Sequence, residues 1–371
     1  MSELSAILKQ MGFSKTFPVQ EKAFSQFNDS RHITIQAPTG SGKTLSYLIP
    51  LCLKLKATPE ERALIITPSP ELAMQIQKVT QEIPEDIRID STCFVGSGNI
   101  KRQRDKLKKC ESQIIVGTPG RLLEFFDRKL LKAPKFDNLI LDEADYILTD
   151  EIRDDFFQHF KYFPEHTKLI TASATQGPES QAFIDTFMIE PVEISGFAIS
   201  ETVAHSYLLF PENKKDVQLA RYLQKNKQDQ VLIFCNMQKH VSHLERFLVA
   251  QKVNCDSLHG QSDKKHRQKC LERFHKGTLK VLIATDTLSR GIDFDNPTIV
   301  QYDIAGKPSN FIHRSGRTGR AGKRGKHLIL VSDKEGYRIG KLEKKLGVKF
   351  EEYTELSKSK KPFVQKPYRK K

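Results

Sequence analysis

Paired cysteines are missing from this sequence. Its six cysteines (Cys52, Cys93, Cys110, Cys235, Cys255 and Cys270) are scattered over 371 residues without a CxxC pair or nearby partner histidines. That pattern removes a disulfide framework and a zinc site as organising principles and leaves core thiols. Long apolar runs are also absent: none approaches the length needed to span a bilayer. The start, MSELSAILKQMGF, has neither a basic stretch nor a small-residue cleavage site, so the chain is expected in the cytoplasm. Acid is in deficit, with 45 Asp and Glu against 60 Lys and Arg, a formal charge of +15 and a pI near 9.4. Such a balance favours a polyanionic partner over an acidic small molecule, nucleic acid ahead of an anionic membrane surface.

Short β-branched runs recur between amphipathic helical patterns: HITIQ, ALIIT, STCFV, QIIVG, NLILD and KLITA, then QVLIF, KVLIA, PTIVQYD and HLILV. Continuous apolar strands alternating with helices predict an α/β chain whose parallel sheets are covered on both faces. The strands are too many for one comfortable sheet. Turn-rich sequence after Glu190 places a linker over 196–206, between domains at 1–195 and 207–356. The remaining residues, 357–371, read SKSKKPFVQKPYRKK. This composition stays disordered alone and suits either RNA, through charge and stacking, or a solvated end.

Chemistry enters with ITIQAPTGSGKTLSYLIP, a loop between an apolar strand and an amphipathic helix. It matches the P-loop, with Ala37 where the first glycine often stands. The backbone of Thr39, Gly40, Ser41 and Gly42 would curl its N–H groups towards phosphate, Lys43 would reach the β and γ phosphates of ATP, and Thr44 would offer a hydroxyl to Mg²⁺. A P-loop needs a carboxylate on a neighbouring strand. NLILDEADYIL supplies Asp142 for the metal and Glu143 to hold and deprotonate a water. A lone acid cluster is usually a solvated loop, but beside a P-loop it predicts a hydrolytic nucleotide site. In LIITPSPELAMQIQ, Ser69 is a natural N-cap and Pro70 fits a first helical turn, with Leu72, Ile76 and Val79 on one face. A strand feeding such a helix start forms an anion site.

APTGSGKT, DEAD (Asp142 to Asp145), SAT (Ser173 to Thr175) and HRSGRTGR (His313 to Arg320) together resemble the DEAD-box ATP-dependent RNA helicases. The resemblance runs from about Gly12 to Val331, and His313 favours this family over relatives with glutamine there. It implies two tandem RecA-like domains binding ATP and RNA across their cleft. GFSKTFPVQ resembles the adenine-reading Q motif, with Gln20 contacting the base. Arg317 and Arg320 resemble arginine fingers that make hydrolysis conditional on closure; Asp293 would lie near the ribose and triphosphate. Asp145, Ser173, Thr175 and His313 would couple the domains, although SAT alone is equally a strand end with two hydroxyls. Pro68, Ser69, Gly98, Thr118, Gly120, Arg121, Arg267 and Thr285 would line a track for one RNA strand through phosphates and 2′-hydroxyls, independent of sequence. The helix after Arg121 would bend that strand, or is an ordinary packed helix. The implied activity is RNA-stimulated ATP hydrolysis with local unwinding of short duplexes or remodelling of RNA–protein complexes; an ATP-gated RNA clamp is the alternative.

Three departures from the family pattern stand out. The aromatic that accompanies the Q motif upstream has no counterpart, so adenine discrimination would rest on Gln20. A glutamine of the second domain's HG…Q..R motif is Lys264, and the arginine of PTRELA is Pro70.

Overall fold

The computed structural model describes residues 2–29, 31–38, 40–96, 98–148, 158–195, 202–211, 214–286, 294–319 and 323–354. The chain forms two compact units that divide between residues 198 and 199.

The first unit holds seven strands: β1 (Ile33–Gln36), β2 (Ala63–Ile66), β3 (Ser91–Phe94), β4 (Ile114–Gly117), β5 (Asn138–Asp142), β6 (Lys168–Ser173) and β7 (Val192–Ser195). They pair in the order β3-β4-β2-β5-β6-β1-β7, parallel throughout. Because successive side chains point to opposite faces, each apolar strand feeds two cores. Ile65, Val116 and Ile140 pack beneath α2 (Pro18–Gln26), α3 (Lys43–Ala57) and α4 (Pro70–Glu82). Leu64, Ile115, Leu139 and Leu141 pack against α6 (Pro119–Asp127), α7 (Ala144–Ile147) and the helix Pro178–Phe187. The first helix, α1 (Glu3–Gln10), sets Leu4, Ile7 and Leu8 against Leu45 and Ile49 of α3.

The second unit holds β8 (Val203–Phe210), β9 (Val231–Phe234), β10 (Cys255–Leu258), β11 (Val281–Ala284), β12 (Thr298–Gln301), β13 (Gly325–Ser332) and β14 (Glu351–Glu352). Their order is β10-β11-β9-β12-β13-β8-β14, again parallel. Position by position this repeats the first sheet. Val231, Ile233, Val281, Ile283 and Leu328 pack against the helices Lys215–Lys225 and Gln238–Ala250.

β8 begins at Val203, inside the stretch assigned to the linker, and pairs with β13 over its whole length. Residues 196–201 and the basic tail lie outside the described residues. No helix among the described residues is long and apolar enough to cross a membrane. In a parallel sheet all C-terminal strand ends lie along one edge, where α/β proteins bind ligands. The P-loop, TPSPELA, VGSGN, TPGR, DEAD and SAT segments follow β1 to β6 there; DEAD begins with the last residue of β5 and SAT with that of β6.

Candidate functional site

β1 delivers the chain to the P-loop, where Gly40 and Gly42 take left-handed φ angles of 86° and 83°. Gly42 has a second reason to be glycine: a β-carbon there would come 2.2 Å from Gln20 Nε2. Lys43 opens α3 and donates from Nζ to the Ala37 carbonyl at 2.6 Å, while Ser41 Oγ donates to the Pro38 carbonyl at 2.7 Å. Gln20 is buried in the first turn of α2. Its Oε1 accepts from the Phe17 N–H at 2.9 Å and its Nε2 donates to the Gly42 carbonyl at 3.4 Å. The residue read as adenine-contacting therefore also ties the Q motif to the phosphate loop.

Asp142 closes β5 and is 2% exposed. Tyr47 OH donates to its Oδ2 at 2.8 Å, Thr44 Oγ1 lies 3.4 Å from the same oxygen, and the Glu143 N–H donates to Oδ1 at 3.0 Å. Burial, followed by the charge of Glu143, raises its pKa from 3.8 to about 6, against the pull of Lys43 and the Tyr47 hydrogen bond. A carboxylate so short of positive charge, with a hydroxyl beside it, is a donor set suited to a hard dication. Tyr47 was not singled out by sequence; its signal is the spacing of three from Thr44, which puts both on one helical face.

Because the folded state favours the protonated form, the stability associated with Asp142 is fully present below pH 3.8 and is lost as pH rises through about 6. Asp142→Asn, neutral at all pH values, is therefore expected to unfold later than the parent above pH 6. The gain should be on the order of 2–3 kcal/mol and close towards pH 4, while ATP hydrolysis is lost. Denaturant titrations at pH 8 and pH 4 check this; equal midpoints at pH 8 would show that the carboxylate is not strained.

Glu143 follows at φ 57° and ψ 50°, a left-handed backbone that costs a non-glycine residue on the order of 1 kcal/mol or more. Thr175 Oγ1 donates to Asp145 Oδ2 at 2.5 Å, and Ser173 Oγ accepts from the Thr175 N–H at 3.2 Å while donating to the Thr175 carbonyl at 2.6 Å. SAT is thus hydrogen-bonded to DEAD within the first unit.

Ser69 caps α4, its Oγ accepting from the Leu72 N–H at 3.2 Å, and Pro70 is the first helical residue. Pro68 and Ser69 lead into it from β2. Thr118 precedes α6, and its Oγ1 accepts from the Gly96 N–H at 3.3 Å. Arg121, read as a cation for phosphate, is buried and makes bonds within the protein through two of its three nitrogens, while Nη1 has no hydrogen-bond partner among the described residues. It is 6% exposed, its Nη2 donates to the Gly96 and Gly98 carbonyls, both at 3.2 Å, and Glu124 Oε2 lies 3.3 Å from Nε. Its guanidinium shapes the loop carrying Gly98; Gly120, one residue earlier, is exposed.

In the second unit Thr285 follows β11, and Arg267 lies in the helix Lys264–His275, which Asp263 caps by accepting from the Lys265 and His266 N–H groups. His313 is in the helix Pro308–Ser315, and Arg317 is in the turn after it, its N–H donating to the Arg314 carbonyl at 3.1 Å. Thr39, Asp293 and Arg320 lie outside the described residues.

Sequence reasoning passed over Arg314, although HRSGRTGR contains it. It is 1% exposed and grips Asp286 with Nε to Oδ1 at 2.6 Å and Nη2 to Oδ2 at 2.8 Å. It also donates to Asn236 Oδ1, to the Asp303 carbonyl and to Gln301 Oε1 at 2.7, 2.8 and 3.1 Å. Gln301 carries this order further. Its Oε1 also accepts from the Ala305 N–H at 3.0 Å, so its Nε2 must donate to His327 Nε2, 3.0 Å away. His327 then holds its proton on Nδ1 and donates to His205 Nδ1 at 2.8 Å. Burial depresses both histidines, His205 to about 4 and His327 well below its ordinary value, which keeps the tautomers fixed.

The family model for the DEAD/DEAH box helicase matches residues 17–183, and that for the helicase conserved C-terminal domain matches 214–322. The chain is 35% identical over 348 residues to a probable ATP-dependent RNA helicase, YfmL, of Bacillus subtilis, covering 92% of this chain and 91% of that one. It is 30% identical to the DEAD-box ATP-dependent RNA helicase RhpA of Helicobacter pylori, covering 92% and 70% respectively. Among solved structures, S. cerevisiae Dbp5 bound to RNA and ADP BeF3 superposes with a TM-score of 0.83 at 27% identity, covering 95% of this chain and 93% of that one. With the phosphate loop, the buried acid of β5 and the SAT–DEAD contact in one unit and the arginine-rich helix end in the other, the chain belongs to the DEAD-box family of ATP-dependent RNA helicases.

Proposed function

We propose that the protein hydrolyses ATP to drive closure of its two units on single-stranded RNA, opening short duplexes locally or remodelling RNA–protein complexes. The observation that carries this reading is buried Asp142, held by Tyr47 beside Thr44 and followed by strained Glu143. Gln20 would contact adenine, the loop from Thr39 to Gly42 and Lys43 would take the phosphates, and Asp293 would lie near the ribose. Thr44 and Asp142 would hold Mg²⁺, which when bound neutralises charge on the phosphates. Glu143 holds the attacking water and accepts its proton. Lys43, Arg317 and Arg320 balance the charge that develops on the γ-phosphate. As the two arginines come from the second unit, turnover waits for closure, with Asp145, Ser173, Thr175 and His313 transmitting it.

Pro68, Ser69, Gly98, Thr118, Gly120, Arg121, Arg267 and Thr285 would line the RNA track. The likeness to an RNA-bound relative supports this assignment. A tight clamp with little turnover is less well supported: residue 70 is proline where the family pattern has arginine. The six cysteines are free, which fits a reducing cytoplasm.

Phosphate release with and without RNA, alongside strand separation of a short overhanging duplex, tests the proposal. No stimulation by RNA would overturn it, and stimulation without separation would favour the clamp. Pro70→Arg is expected to tighten RNA binding, by at most the roughly 1.5–3 kcal/mol of a charged hydrogen bond. It should also steepen the salt dependence by about 0.7. An unchanged slope would remove phosphate from the neighbourhood of residue 70.

A further inference from the structure

The helix α5 (Ile100–Lys108) follows the VGSGN loop and is unlike every other helix of the first unit in burying no residue. Ile100 and Leu107 rest partly buried on the core below. Gln103 locks the helix to the loop, accepting from the Val95 N–H at 3.0 Å and donating to the Val95 carbonyl at 2.9 Å. These three residues form the seated side. The outward side carries Lys101, Arg102, Lys106 and Lys108, continued by Lys109, all exposed. Asp105 alone among them is acidic, and it lies 3.9 Å from Arg104. None of the five exposed cations makes an ion pair with a described residue.

This arrangement is costly in isolation. Arg102 with Lys106 and Arg104 with Lys108 are like charges one turn apart, each pair unfavourable by a few tenths of a kcal/mol, with no buried side chain to offset them. The outward face has no apolar residue. A membrane-surface helix needs an apolar face to insert, and a protein interface needs an apolar centre. Phosphate backbone asks only for cations and counterion release. α5 also starts at the strand edge that bears Gly98, whose carbonyl Arg121 holds.

We propose that the outward face of α5 binds the phosphate backbone of RNA flanking the single-strand track, so that a structured RNA is gripped beside the segment on which the motifs act. This rests on the RNA-binding reading given above. The test combines Lys101→Gln, Arg102→Gln and Lys108→Gln. Affinities are measured without nucleotide over a range of salt, for a short single strand and for the same strand carrying a duplex arm. The variant should lose at least about tenfold in affinity for the armed RNA at low salt, with a slope shallower by about 2 to 3. The bare strand should be bound nearly as before, and ATP hydrolysis at a saturating bare strand should be unchanged. Asp105→Lys, which adds a cation to the same face, should shift the armed RNA the opposite way. Equal affinities of parent and triple variant for the armed RNA would overturn the proposal. So would a loss confined to anionic lipid vesicles, or an equal loss on both RNAs. Absence of RNA-stimulated hydrolysis in the parent would instead count against the function itself, and the nucleotide-free affinities would still decide the role of α5.

Discussion

Glu143→Gln is expected to leave the protein folded and able to bind RNA while lowering RNA-stimulated ATP hydrolysis by about 10²- to 10⁴-fold, the usual contribution of a positioned general base. The amide keeps the size of the side chain and the ability to hold a water, but it cannot accept the proton. The backbone strain at this residue (φ 57°) is unchanged by the swap, so stability should stay close to that of the parent. Steady-state phosphate release gives the rate, and RNA affinity in the presence of ATP gives the control. A loss well below about tenfold would mean that another group takes the proton.

Arg314→Ala carries the largest expected effect on stability. All five N–H directions of this guanidinium meet an acceptor, on Asp286, Asn236, Gln301 and the Asp303 carbonyl, and the group lies over the Phe234 ring at 5.4 Å. Truncation removes the guanidinium from the partly buried Asp286, and breaking a buried pair in this one-sided way costs about 3–5 kcal/mol. Arg314→Lys should recover little, because a single ammonium cannot serve five acceptors in a plane. The chain contains no tryptophan, so far-UV circular dichroism in a denaturant titration is the suitable probe. A loss under about 1 kcal/mol would show that the network behaves like a surface pair. The helix Pro308–Ser315, which carries His313 and leads to Arg317, is set by this anchor, so hydrolysis should fall even where the variant remains folded.

Most strands legible in the sequence were those buried on both faces; STCFV, the edge strand β3, was legible although two of its residues are only half-buried. ALIIT and NLILD became β2 and β5, fully buried along their lengths. The strands that escaped lie at or next to sheet edges. β7 exposes Glu193 and Ser195, and β10 reads CDSL with two half-buried residues. β8 alternates buried and exposed positions inside the turn-rich segment, and β14 is two exposed glutamates. An edge strand is stabilised by backbone pairing on one side and needs no continuous apolar run. The phosphate loop and the acids of DEAD were legible because their chemistry demands particular residues at fixed spacing. Tyr47, Gln301, His205 and His327 were not, because they act through contacts between strands and helices distant in sequence. Arg121 shows a different gap: an arginine in a phosphate-type loop reads as a ligand group, and spacing gave no sign that its Nη2 also holds the carbonyls of the neighbouring loop.

The matching strand orders of the two sheets permit a position-by-position comparison of the two units. Aligning β2 with β9 brings Ile66 opposite Phe234; the partners of these residues, Leu141 and Gln301, then correspond, and Glu143 falls opposite Asp303. The two acids have had different fates. Asp303 is bound by Lys215 at 3.0 Å and His240 at 2.7 Å, and these partners hold its carboxyl below the usual range despite burial. An acid neutralised in this way no longer serves as a base. On the function proposed above, one carboxylate would serve turnover, while the corresponding acid of the second sheet is held in the scaffold by Lys215 and His240.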